Sequence, residues 1–492
     1  MDHQSHHDGM GKRGVSRPMS HDDGHHKMDR EKMLHSHHEQ TLWIYWTIIL
    51  LGFWLLVSPL TFSYGKNIVQ PSGGRELWLN DDMRVLLMQI SDMLSGFLLI
   101  MLGWRSLRPN RPVSLWIACF IGIWLNMAPI IFWAPNAISY INGTLVGVLV
   151  ITLTILVPGM PNMIKYMKMG SEVPQGWSYN PSSWPQRGIM IGLAFVGWLV
   201  SRYLGAFQMG YIDHAWDPFF GESSMLVLNS DMSFSLPISD GGLGALAYTL
   251  EFLMGWMGSP SRWRTMPWMV TIFGILVIPL GLVHIFLVIS QPVMVGEWCT
   301  FCLLAAAIML PMIPLELDEV IAMGQHMVKA KKRGDNLWKV FWKGGEPFEE
   351  NMDERSPKIA EFPVKPVEVY KSSIWGMSFP WTLSLSALIG LFVMFIPGML
   401  GISIEATASN VFHLTGSLII VVSIICMGEV VRIGRYFNIL LGLTLAVVPW
   451  LVNDGASTMY ILGTISGLAV AALSLPCGTI TEKYGLWDKY VK

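Results

Sequence analysis

The chain has 492 residues, 52% of them hydrophobic and only 14% charged, with a formal net charge of −2 and a mean hydropathy of +0.45. Soluble domains carry about 25% charged residues, so a string of soluble domains is excluded, as are collagen-like, disordered and disulfide-scaffold classes. The near-neutral charge gives no support for a nucleic-acid partner. What remains is an all-α, polytopic membrane protein.

Residues 1–40 form a polar tail with nine of the thirteen histidines, among them His3, His25 and His38. It reads as a solvated cytoplasmic segment. Weak binding of copper, zinc or nickel is the alternative, although the histidines show no repeating ligand spacing. Apolar stretches of ~20 residues, long enough to cross a bilayer, then fall at 42–62, 85–104, 114–133, 140–158, 188–207, 240–257, 267–290, 295–315, 380–399, 409–428, 435–452 and 457–475. About 12 spans are therefore expected. The weakest are 85–104, which holds Asp92, and 240–257, which holds Glu251.

Loop charge sets the orientation. Arg105, Arg108 and Arg111, then Lys165, Lys168 and Arg187, then Arg262 and Arg264, lie on one side. So does the Lys-rich stretch 316–378, which reads as a cytoplasmic connector with no evident chemistry. The alternate connections near 134–139, 291–297, 400–408 and 453–456 hold no Lys or Arg. The 203–239 loop carries only acids (Asp213, Asp217, Glu222, Asp231). A multi-pass protein of the plasma (inner) membrane with both termini cytoplasmic is expected.

An internal repeat flanks the middle. Gly is followed seven residues later by Pro in GFWLLVSP (Gly52–Pro59), GIWLNMAP (Gly122–Pro129), GLFVMFIP (Gly390–Pro397) and GLTLAVVP (Gly442–Pro449). Fourteen residues after the Pro, two copies continue as GTLVG (Gly143–Gly147) and GTISG (Gly463–Gly467). The third has Thr415–Ser417 in a similar place, and the first has Ser95-Gly96. Each unit predicts a helical hairpin. The Pro stops or kinks its first helix, and the small residues of the second permit close helix approach. All four enter from the same side, as parallel rather than inverted repeats. The hairpins resemble the SPW repeat, named for the Ser-Pro-Trp that Ser58-Pro59 and Pro449-Trp450 each match in part. That resemblance implies a packing module, at 41–160 and again at 379–476.

Chemistry concentrates between the repeats. Cys119, Cys426 and Cys477 stand alone in apolar stretches, where a free Cys acts as a small hydrophobe. Cys299 and Cys302 form a CxxC that opens a span (WCTFC). On a helix these positions share a face, and the first turn favours thiolate. A metal would want a second pair or nearby histidines, and haem attachment would want His at 303, which is Leu.

Residues 185–320 resemble the vitamin K epoxide reductase family, a four-helix membrane thiol oxidoreductase that works on a quinone. The resemblance rests on order: a span, an outer loop ending VLNSDMSFSLPISDGGLGALAY, two spans, then WCTFCLL opening the fourth. It implies that Cys302 lies next to a quinone of menaquinone or ubiquinone type and that Cys299 exchanges with an extracytoplasmic thiol/disulfide protein. It further implies that Ser230 takes the place of the family's loop serine and that Asp240 stands where an Asn often binds the quinone carbonyl. Two departures stand out. The 203–239 loop has no Cys, Ser224 standing where a relay Cys would be, and Ala305–Ala307 replace a Tyr beyond the second Cys. His284 is a candidate proton donor to the quinone. Glu251 reads as structural, and a metal at Asp213, His214 and Asp217 is the lesser reading for those acids.

The expected function is a quinone-linked membrane thiol/disulfide oxidoreductase without the loop relay. The alternatives are a non-enzymatic membrane scaffold with a degenerate central domain, and a metal-handling protein acting through the tail.

Overall fold

In the computed structural model, residues 32, 35–109, 111–156, 171–347, 351–359, 363–403, 405–452 and 454–491 are described. Most of the histidine tail, from His3 to His26, lies outside them. Among the described residues, ten helices are long and apolar enough to cross a membrane. The hairpin helices are α1 (Leu42–Phe62), α2 (Asp81–Ser106), α3 (Pro112–Ile131) and α4 (Ala137–Ile151, extended by a π-type turn Thr152–Leu156). The central helices are α5 (Trp184–Gln208), α6 (Asp240–Trp256), α7 (Pro267–Met294, broken at Ile278 before Pro279) and α8 (Thr300–Arg333). The last four are α9 (Trp381–Met399), α10 (Thr407–Ile425), α11 (Phe437–Val452) and α12 (Ser457–Leu473). Two of these, α6 and α12, have 17 residues each and are the shortest of the expected spans after α4 and α11 are taken with their adjoining turns.

The repeat glycines explain how the hairpins close. A Cβ on Gly52 would lie 2.6 Å from the Gly96 carbonyl oxygen, and one on Gly96 would lie 2.5 Å from that of Gly52. Gly122 and Gly147 face each other in the same way at 2.9 and 2.6 Å, and Gly390 and Gly416 at 2.7 and 2.6 Å. Gly442 and Gly467 meet closer still. In all four hairpins the Gly of the Gly-to-Pro unit therefore sits backbone-to-backbone against a Gly of the following helix, as the small-residue pattern predicts. Large apolar side chains such as Leu60, Phe97, Leu388 and Leu468 remain exposed on the outside, which is where lipid would cover them.

The hairpins pack on both flanks of the bundle α5–α8. On one flank the loop before α2 reaches the loop before α6. Arg75 donates to the carbonyls of Ser233, Leu236 and Ile238, the Trp133 indole donates to that of Pro237, and the Ser72 hydroxyl donates to Asn229. On the other flank His413 of α10 lies 2.7 Å from the Ile289 carbonyl and edge-on to Trp298.

The helix α8 departs from the expected span. It has 34 residues, roughly 50 Å at ~1.5 Å per residue, against a hydrocarbon core of ~30 Å. The sequence turns charged at Glu316, which marks the expected end at 315. Yet Glu316, Asp318 and Glu319 are buried inside the protein, and the helix runs on until Gly334 caps it at φ 87°. What reads as the start of a connector is thus a helical pillar. The segment Trp177–Tyr179 and the C-terminal Tyr484 pack against it in a buried aromatic cluster with Trp263.

Candidate functional site

Cys299 is the N-cap of α8 and Cys302 lies in its first turn, where the Cys302 amide donates to the Cys299 sulfur at 3.1 Å. The two are joined as a disulfide, with Cα atoms 5.2 Å apart. Cys299 is fully buried and Cys302 is 7% exposed. The pair closes the end of the central core, which Met190, Ala194, Tyr248, Met309 and neighbouring apolar side chains fill.

A carboxylate from the 203–239 loop fixes this helix start. Asp217 accepts from the Thr300 amide (3.0 Å) and the Thr300 hydroxyl (2.5 Å). It also accepts from the Ser224 hydroxyl (2.5 Å) and the amides of Phe219 and Phe220. Burial acts to raise the Asp217 carboxyl, but the hydrogen bonds from Ser224, Thr300 and the backbone outweigh it and hold the group well below the usual carboxylate range. Ser224, at the place of the missing relay Cys, is therefore wired through one carboxylate to Thr300, the residue after Cys299. Both oxygens of Asp217 are engaged in this clamp. Beside it, Ser223 donates to Glu297, and Phe220 stacks on Trp298.

One turn into α8, the Tyr248 hydroxyl of α6 donates to the Ala305 carbonyl at 3.0 Å. Gly197 of α5 makes room for this ring, since a Cβ there would come within 2.5 Å of it. The His284 ring of α7 stands edge-on to Tyr248, with centroids 6.4 Å apart. His284 and Tyr248 are thus brought close to the cysteine helix.

Ser230 and Asp240 sit in a different network. Ser230 caps the short helix Asp231–Phe234 and donates to the Val227 carbonyl. Asp240 accepts from Gln208, Ser233 and the Gly241 amide, with Arg75 in electrostatic range. Both belong to the junction with the first hairpin loop.

Sequence reasoning passed over Asp217 as a clamp, and over Glu316 and Glu319. The Arg262–Glu319 pair is fully buried, with bonds of 2.7 and 2.6 Å. Acids spaced three apart on a helix that opens apolar are the signal that could have found it.

Residues 188–317 match the family model described as Vitamin K epoxide reductase family. The central bundle is similar to that family. The match covers α5 to the middle of α8, the stretch that carries the disulfide, and it supports a membrane oxidoreductase. Residues 380–476 match the SPW repeat domain, which is α9–α12. No match is found among curated proteins or among solved structures.

Proposed function

We propose that the chain is a quinone-linked membrane thiol/disulfide oxidoreductase whose redox centre is Cys299–Cys302. The observation that carries this reading is a buried disulfide at the first turn of a helix, in a four-helix bundle similar to a redox family. The surroundings fit a quinone. The bundle core is lined largely by apolar side chains, and its polar groups include the Tyr248 hydroxyl, bonded one turn from Cys302, and the half-buried His284 ring beside it. When bound, the quinone supplies a two-electron, two-proton acceptor or donor.

The chain's own residues divide the remaining work. The Asp217 clamp holds Thr300, and so aligns the α8 N-terminus whose dipole favours thiolate at the pair. Cys299 exchanges with an external thiol protein, Cys302 faces the quinone, and His284 holds a proton for it. Ser230 and Asp240 act as positioning residues, shaping the loop that roofs the bundle. With no loop Cys at 203–239, exchange with the outside partner is direct.

A static disulfide in a scaffold protein is the second reading, favoured by the complete burial of Cys299. Thiol trapping in native membranes separates the two, after Cys119, Cys426 and Cys477 have been changed to Ser or Ala. The enzyme cycles between dithiol and disulfide when oxidised quinone is added. A pair fixed in one state whatever the quinone does sinks the proposal, and Cys299→Ser then lowers thermal stability alone.

A further inference from the structure

Among the buried groups of the bundle below the disulfide are carboxyls that thiol exchange leaves unused. Glu251 of α6 is 1% exposed, and neither of its carboxyl oxygens has a hydrogen-bond partner. Glu316 of α8 is as deeply buried, and its Oε1 has none either. Glu316 lies in electrostatic range of Glu319, Arg262, Glu251 and Asp318 and of the buried Arg187 of α5, and Glu251 in that of Tyr248. Toward the basic loops the series ends in the buried Arg262–Glu319 pair, with Arg262 reaching from the turn after α6. At the other end Tyr248 touches α8 one turn from Cys302 and stands against His284.

A structural role accounts for Arg262 and Glu319, because each completes the other. It does not account for Glu251. A polar group buried without a partner in a membrane interior is costly, and Leu or Met would fill the space without that cost. A carboxyl in such a place is stable as the neutral acid, and ionisable groups inside membranes mark proton relays.

We propose that Glu316 and Glu251 pass protons between the basic face and the Tyr248–His284 pair, so that electrons and protons reach the redox centre from opposite sides of the membrane. This rests on the quinone-linked reading of the disulfide. Exchange with one external dithiol forms that partner's S–S bond, breaks the Cys299–Cys302 bond and leaves the pair as a dithiol that holds the two electrons and the two protons. Reoxidation of that pair re-forms its S–S bond, sends the two electrons to the quinone and releases the two thiol protons at the cysteine face, while the quinone takes two protons drawn from the basic face through Glu251. Each turnover in this direction removes two protons on one side and releases two on the other, and reversal of the reaction reverses both.

The test uses the full chain in vesicles with a quinone in the bilayer. A reduced dithiol peptide that cannot cross the membrane is added outside, so only molecules with the cysteine face outward react. A trapped pH dye is expected to report about two internal protons lost per quinone reduced. Glu251→Gln and Glu316→Gln, each close to isosteric, are expected to slow turnover and internal proton loss at least about tenfold, with thermal unfolding unchanged. Independently of quinone, infrared difference spectra on reducing the disulfide are expected to show a protonated-carboxyl band that Glu251→Gln removes. Proton uptake from the outer side in wild type, wild-type rates in both variants, or absence of the band each overturns the route while the thiol–quinone reading stands. A wild type that reduces no quinone overturns both. Sidedness in the wild type decides the matter even if a variant fails to fold.

Discussion

Asp217 ties together residues that the chain keeps 83 positions apart: it binds Thr300 as well as its own neighbours Phe219, Phe220 and Ser224. Asp217→Ala leaves the buried Ser224 hydroxyl and the first amide of α8 without their acceptor. Hydrogen bonds to a charged group contribute about 1.5–3 kcal/mol each, not additively, so a stability loss of about 2–3 kcal/mol is expected from chemical denaturation in detergent. The pH dependence has a definite sign. Because the folded carboxyl is held below its ordinary range, its contribution is complete above the unfolded value near pH ~4. It declines as pH falls through the folded value. Wild type is therefore expected to lose thermal stability below about pH 4, and Asp217→Asn to lose less over that same interval. Equal slopes in the two proteins would remove Asp217 from the account. None of this was visible along the sequence, where Asp217 is one acid among several in an outer loop. The partner that gives it a role is distant in the chain and close only after folding. Cys299 and Cys302 were legible because their spacing alone puts them on one helix face.

At the scale of elements, the glycines of the hairpins should differ sharply from glycines elsewhere on the same helices. Gly416 faces the Gly390 carbonyl at 2.6 Å, whereas Gly398, at the end of the partner helix α9, has no atom within 4 Å of a built Cβ. Gly416→Val must separate α9 from α10, and overpacking of this kind costs about 1–3 kcal/mol. A lower melting temperature is expected for Gly416→Val and for the corresponding Gly96→Val in α2. Gly398→Val is expected to melt within a degree or two of wild type. Similar losses at all three positions would mean that the close backbone contact is not what holds the hairpins. These elements were readable in advance because the repeat is a local pattern, with Gly and Pro at fixed offsets inside apolar runs. The length of α8 was not. Hydropathy ends a span at the first cluster of charge, and it cannot register that Glu316, Asp318 and Glu319 point into protein and that Arg262 neutralises one of them.

For the whole molecule, the question on which the site depends is which face each loop occupies. α6 is the helix that decides it. Its 17 residues make roughly 26 Å at ~1.5 Å per residue, slightly under the ~30 Å hydrocarbon core, and it carries Glu251. Three helices, α6 to α8, separate the 203–239 loop from the connector beyond Arg333. If all three cross, the loop and the connector face opposite sides, and the disulfide opens on the side of the loop whose Asp217 holds it. If α6 does not cross, loop and connector share a side, and electrons and protons would no longer have separate faces from which to arrive. Trp216 and Val367 are 60% and 63% exposed, so a Cys at either position is open to labelling. In a chain lacking Cys119, Cys426 and Cys477, Trp216→Cys is expected to react with a membrane-impermeant maleimide on intact cells. Val367→Cys is expected to react only after the membrane is opened, because the basic loops are retained on the cytoplasmic side. Labelling of both on intact cells, or of neither, would take α6 out of the membrane and with it the arrangement that gives Glu251 a path to the redox centre.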